Sequence, residues 1–357
     1  MPQARKRIID PSRPTWVHCT SRCVRRAFLC GNGFEHRRGW VEERLKFLTR
    51  IFAVEIASYA VMANHLHVIL RIQVQDPHGW SGEEVARRWY AIYPADYHAD
   101  GTPKPPAEAL IQARRDDHAW IGIRRQRLAD LGWFMKALKE SIGRRANRED
   151  GCTGAFWEGR FHSVPLLDQA ALIACMAYVD LNPIRAAIAE TPERSAFTSA
   201  RRRIRARNRH RAAMAVRDRD PQRAERRLVK VGLSRAASHP EDGLWLCPLG
   251  RCMVGEEFAN RRFTVDEYLS VLDATGRLVK SGKRGRIPPE LAPIIARLDL
   301  SVEAWLATML GFRAFAFTSA IGSATSLAIE AGRRSLRWIR VRCPLFAKAP
   351  GRGTTAA

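Results

Sequence analysis

From residue 15 to residue 190 the chain alternates between two hydrophobic periods. Thr15–Arg22 (TWVHCTSR) has the two-residue alternation of a short strand. Over Arg38–Phe52, Leu45, Leu48, Ile51 and Phe52 recur at helical spacing while Arg and Glu fill the other side. Glu55–Met62 and Asn64–Ile72 read as two strands paired as a hairpin, with Ala63-Asn64 at the turn. Residues 73–125, rich in Pro, Asp, His and Trp, fit neither period and read as an irregular insertion. Gln126–Arg148 carries Leu128, Leu131, Phe134, Met135, Leu138 and Ile142 on one side, as one long amphipathic helix does. Phe161–Leu167 is a further strand. Asp168 is placed to cap a helix over Gln169–Leu181 that Pro183 must end. The order strand, helix, two strands, helix, strand, helix predicts an α+β fold, an antiparallel sheet with helices on one face.

The later part of the chain is mainly helical, with helices expected over Thr264–Leu272, Pro289–Arg297, Val302–Leu310 and Ser326–Trp338. The chain has 357 residues, and its 46% hydrophobic content is ordinary for a protein with real cores, which excludes wholesale disorder. Charge changes the picture: 60 Lys+Arg against 36 Asp+Glu gives +24, which points to a polyanionic partner, nucleic acid before a membrane surface. Residues 201–230 hold twelve Arg and one Lys against three acids. Such a run reads as a solvated helix or a linker, and it divides the chain into 1–195, a basic linker or helix at 196–231, and a helical region at 232–357. The uncharged stretch Ala314–Ile329 is 16 residues long and diluted by Ser, Thr and Gly, too short and polar to span a bilayer. The first ten residues lack the apolar run of a secretory signal. The expected setting is therefore cytoplasmic and nucleoid-associated, with the eight cysteines reduced. Cys19-x3-Cys23 and Cys247-x4-Cys252 lack a matching second pair for zinc and read as buried thiols. The stretch Val279–Pro289 is a basic connector and not a phosphate-binding loop, since its glycine spacing and Arg284 both depart from that pattern.

Two small signals carry chemistry. In His65-Leu66-His67 the strand period sends both imidazoles to one side, where they can share a divalent ion, and sends Leu66, Val68 and Leu70 to the other. Taken alone, the pair reads as two surface or hydrogen-bonded histidines rather than as metal ligands. Tyr178 and Asn182 lie four apart, one turn of helix, offering a phenol that can attack phosphate and an amide oxygen that can complete a metal shell. Alone, these read as a core tyrosine and a helix stop.

Four stretches, HCTSR (His18–Arg22), SYAVMANHLHVIL (Ser58–Leu70), FWEGRF (Phe156–Phe161) and AYVDLNPIRAAI (Ala177–Ile188), occur together in one order. In this combination the chain resembles the single-tyrosine HUH transposases, specifically the REP-associated tyrosine transposase branch, over most of residues 14–190. The resemblance implies a ferredoxin-like HUH nuclease sandwich with the histidines on a central strand and the tyrosine on a facing helix. It implies a metal-dependent transposase and endonuclease that cleaves and rejoins single-stranded DNA near hairpins. His65 and His67, with Asn182 as a third ligand, would hold magnesium or manganese. Tyr178 would attack the scissile phosphate and become joined to the 5′ end. The long insertion at 73–125 departs from the family pattern. Arg144, Arg145, Arg160, Arg201, Arg202, Arg203, Arg205, Lys283 and Arg284 are the expected phosphate contacts. Trp80, Trp89, Trp120, Trp133 and Trp157 are candidates for stacking on unpaired bases. A monomer and a homodimer are both compatible with the sequence. The competing readings are a non-catalytic DNA- or RNA-binding regulator using the same sheet and basic tail and, more weakly, a zinc hydrolase.

Overall fold

The computed structural model describes residues 14–73, 75–99, 102–253, 263–281, 305 and 319–339. Four strands form one antiparallel sheet: β1 (Trp16–Arg22), β2 (Val54–Val61), β3 (His65–Ile72) and β4 (His162–Leu166), in the order β2-β3-β1-β4. The β2–β3 hairpin turns through Met62–Asn64, where the Met62 N–H donates to the His65 carbonyl at 2.8 Å. β1 and β3 occupy the centre of the sheet.

Both faces of this sheet are apolar over part of their area, so both are covered. Val17, Cys19, Leu66, Val68 and Leu70 pack with α1 (His36–Ile51) on one face. Trp16, Ile69, Val164 and Leu166 pack with a second set of helices on the other. This corrects the expected one-sided sandwich: the alternation in β1 and β3 places large apolar side chains on both faces, and two layers of helix are needed to bury them.

The insertion is not irregular. It folds into α2 (Gly82–Ile92), α3 (Glu108–Arg115) and α4 (His118–Leu128). Ser81 caps α2 by accepting the Glu84 N–H at 3.1 Å, and Val85, Ala86, Trp89 and Ile92 supply its buried stripe. The single long helix expected over Gln126–Arg148 is broken after Leu128. Asp130 accepts the Trp133 N–H at 2.8 Å and starts α5 (Leu131–Glu149) afresh.

On the other face lies α6 (Gln169–Asp180), capped by Asp168, which accepts the Ala171 N–H at 2.9 Å. It is apolar all round, and every residue in it is buried except Gln169 and Tyr178. The helix ends at Asp180, ahead of Pro183 as expected. Pro183 occupies the first turn of a short helix, α7 (Asn182–Arg185), where a missing N–H costs nothing.

The arginine-rich run is folded against the sheet. Residues Ser199–Met214 form α8, capped by Thr198, which accepts the Arg201 N–H at 3.3 Å. Residues Pro221–Val229 form α9. Val265–Ser281 form α10, whose Tyr268, Val271 and Leu272 share one buried cluster with α6. Trp305 is buried in the same cluster and donates its indole N–H to Thr275 Oγ1 at 3.0 Å. Residues on both sides of 196–231 thus share one buried cluster. Ala324–Arg333 form α11. The helices expected at Pro289–Arg297 and Val302–Leu310, Trp305 apart, and most of the Val279–Pro289 connector lie outside the described residues. Cys19, Cys23, Cys247 and Cys252 are buried free thiols. Among the described residues no helix is long and apolar enough to cross a membrane.

Candidate active site

The register of the central strands builds the site. Thr20 of β1 lies opposite His67 of β3, and Arg22 lies opposite His65. Directly opposed residues in an antiparallel pair share a face. His18, Thr20 and Arg22 therefore stand in one row beside His65 and His67. On the edge strand, His162 lies opposite Thr20 and extends the same face.

Above that face α6 presents its one exposed-side aromatic. The Tyr178 ring lies 5.8 Å from the His67 ring and 6.4 Å from the His18 ring, edge-on to both. His65 and His67 are 4.9 Å apart between centroids. His18 Nε2 lies 2.9 Å from His67 Nδ1, so one of these rings donates to the other. His65 Nδ1 lies 2.6 Å from Asn64 Oδ1 and donates to it, since that oxygen can only accept. This bond fixes the tautomer that leaves the His65 Nε2 lone pair free, the arrangement in which a ligating imidazole is held by an outer partner.

Burial keeps the three rings neutral. The pKa of His18 falls to about 4 through burial, and that of His65 to about 4 through burial and then the Arg22 charge. His67 lies well below the ordinary range, through burial first and then the proximity of His18, His65 and Arg22. A neutral imidazole is the form that binds metal. Among the described residues no group of three or more His, Cys, Asp or Glu side chains is arranged to hold a metal ion. The histidine donors are thus two neighbouring imidazoles, a set that does not make a closed zinc site.

Asn182 joins the site through the backbone of the tyrosine: its amide nitrogen donates to the Tyr178 carbonyl at 3.0 Å. Arg185, one turn further, places its guanidinium 5.3 Å from the centre of the Tyr178 ring. Asp180 fixes the end of α6. Fully buried, it accepts from Ser199 Oγ at 2.6 Å, from the Ala200 N–H at 2.9 Å and from the Tyr268 hydroxyl at 2.5 Å, tying the tyrosine helix to α8 and α10.

The nine basic residues expected to contact phosphate are dispersed. Arg144 is exposed and paired with Glu140, and Arg145 lies 3.9 Å over the Trp40 ring. Arg160 is exposed in a groove of about 560 Å³ between α5 and residues 154–161, lined also by Lys136 and Lys139. Arg205 is exposed and Arg201 half-buried. Arg202 is committed to Glu42 through two bonds, at 2.9 and 2.6 Å. Arg203 must be reassigned. It is fully buried, donates to Glu241 at 2.9 Å and to the carbonyls of Ala57 and Cys247 at 3.0 and 2.8 Å, and is a core residue. Lys283 and Arg284 lie outside the described residues. The tryptophans are not open stacking platforms either. Arg88 covers Trp80 at 4.0 Å, Arg124 covers Trp120 at 4.5 Å and Arg127 covers Trp133 at 4.3 Å, while Trp89 and Trp157 are buried.

Four site residues had no role assigned from sequence: His18, Arg22, Asp180 and Arg185. The alternation in HCTSR held the signal for the first two, since residues 18, 20 and 22 must share a face in a strand.

No family model matches the sequence, and no curated protein matches it. Among solved structures the chain is similar to a REP-associated tyrosine transposase bound to a REP hairpin, at 13% identity over 57% of this chain and 86% of that one, with a TM-score of 0.34. At that level of likeness the functional reading rests on the site's own residues.

Proposed function

We propose that the chain is a single-tyrosine nuclease and strand transferase that cuts and rejoins single-stranded DNA beside hairpins, with Tyr178 as nucleophile. The observation that carries this reading is the convergence of Tyr178 with the buried His18–His67 pair and His65 on one face of the sheet. A phenol is a poor nucleophile at neutral pH, so it needs neighbours that favour charge on its oxygen and on the phosphate. Arg185 over the ring and Arg22 at the end of the histidine row supply fixed positive charge.

In the proposed step Tyr178 Oη forms a bond to phosphorus and the bond from phosphorus to the 3′ oxygen breaks. The proton lost by the phenol balances the one gained by the 3′ hydroxyl, and the 5′ phosphate stays on the tyrosine. The reverse attack by a 3′ hydroxyl rejoins DNA without ATP, because the phosphodiester bond is exchanged and not hydrolysed. His65 and His67 would hold magnesium or manganese, with Asn182 Oδ1 as third ligand. Bound there, the ion would supply charge neutralisation at the non-bridging phosphate oxygens. His18 positions the His67 ring, and Asp180 holds the tyrosine helix at its angle to the sheet.

The test is incubation of the protein with labelled hairpin-bearing single strands and magnesium or manganese, followed by denaturing electrophoresis. A protein–DNA adduct that disappears in Tyr178→Phe is expected. Salt-sensitive retention with no cut and no adduct across a set of hairpins would instead identify a binding-only regulator.

A further inference from the structure

The insertion and the first turns of α5 carry a row of aromatic rings and cations that the proposed chemistry does not use. Trp120, Arg124 and Arg127 fall at helical spacing on α4, so they share one side of it. The Arg124 guanidinium lies 4.5 Å from the centre of Trp120 and 5.5 Å from that of Trp89. Arg127 lies 5.6 Å from Trp89 and 4.3 Å from Trp133, and Lys136 Nζ lies 4.6 Å from Trp133. The result is a continuous stripe in which cations alternate with indoles.

One observation separates these cations from four neighbouring arginines. Neighbouring arginines are neutralised: Arg87 pairs with Glu83 and Glu108, Arg88 with Glu84, Arg114 with Asp117 and Arg115 with Asp116. Among the described residues no ion pair engages Arg124, Arg127 or Lys136. A cation stacked on indoles and not paired with a carboxylate keeps its charge for an outside anion.

From this geometry we infer that Arg124, Arg127 and Lys136 form a binding track for the phosphodiester backbone of a DNA strand. The cations cover the indole faces, so bases cannot stack on them. The contacts are to phosphate and carry no sequence information. Lys136 also lines the groove that holds Arg160, and the backbone N–H of Glu158 in that same segment donates to the Arg22 carbonyl at 2.8 Å. The track thus continues from the insertion toward the histidine row. The inference rests on the proposed function only for the choice of DNA.

The test is fluorescence anisotropy of a labelled DNA hairpin with single-stranded flanks, and of a scrambled version, over a range of salt. For Arg124→Gln and Arg127→Gln, the slope of log affinity against log salt should fall by about 0.7 to 0.9 per arginine removed. The loss should be equal on both DNAs and reversed by Arg→Lys at each position. Arg115→Gln, which removes an already neutralised charge from the same insertion, should leave the slope unchanged. In the wild-type protein, DNA should protect Arg124 and Arg127 from phenylglyoxal modification. An unaltered slope in both Gln variants, a change matched by Arg115→Gln, or equal modification with and without DNA overturns the inference. Adduct formation is scored on the same samples, so a lost adduct with a retained slope effect defeats the nuclease reading alone.

Discussion

Arg203 offers a sharp test of how the basic run is used. Its side chain is fully buried and bonded to Glu241, whose second oxygen accepts the Leu249 N–H at 2.9 Å. Arg203→Ala would strand the Glu241 carboxylate, which is only 11% exposed, and would orphan the carbonyls of Ala57 and Cys247. Breaking one partner out of a buried pair costs about 3–5 kcal/mol. At about 2–4 °C per kcal/mol for a large domain, the melting temperature should fall by roughly 6–20 °C. Arg205→Ala, exposed on the same helix, should stay within about 0.5 kcal/mol of wild type. The assay is chemical denaturation followed by tryptophan fluorescence, with midpoints compared at equal slope. A double variant adding Glu241→Gln should be less damaged than Arg203→Ala alone, because the stranded charge is gone. The reasoning is refuted if Arg203→Ala lies within about 1 kcal/mol of Arg205→Ala, or if Glu241→Gln deepens the loss.

Other consequences are equally direct. His65→Ala and His67→Ala should each abolish DNA cleavage while leaving most DNA retention, measured by gel cleavage and anisotropy on the same preparations. Asp180→Asn replaces one of the two oxygens that serve three donors with an NH2 group and should cost about 1–3 kcal/mol in denaturation experiments. Burial pushes the Asp180 carboxyl up, so the protonated form favours folding. That contribution is full below the unfolded value near 3.8 and is lost as pH rises through the raised folded value. The stability gap between wild type and Asp180→Asn should therefore narrow as pH rises through that window. Asp168→Ala removes the cap of the tyrosine helix and should cost about 0.5–2 kcal/mol in the same assay.

Much of the site was legible in sequence because it lies in elements whose period is simple. The two-residue repeat of His65-Leu66-His67 sends both rings to one face whichever neighbours the strand has, and the Asp168 cap is a local signal. His18 and Arg22 obey the same repeat, but only the β1–β3 register, a long-range pairing, sets them beside the histidines. Asp180 was illegible for a similar reason: its three donors come from α8 and α10, far along the chain. The insertion misled because its helices are short and bury few residues, only Ile111 in α3 and Ile121 and Leu128 in α4, too few to show a helical period. The arginine run misled through its charge. A helix with many arginines reads as solvated, yet one of them, Arg203, neutralises a buried glutamate and satisfies two sheet-side carbonyls.

The central claim is that Tyr178 becomes covalently joined to DNA. After reaction with a hairpin-bearing single strand and nuclease trimming, peptide mass spectrometry should locate a 5′-phosphodeoxynucleotide on the peptide carrying Tyr178, and on no other tyrosine peptide. Cleavage without that modification, or the modification persisting on the protein when Tyr178 is replaced by Phe, would contradict the account.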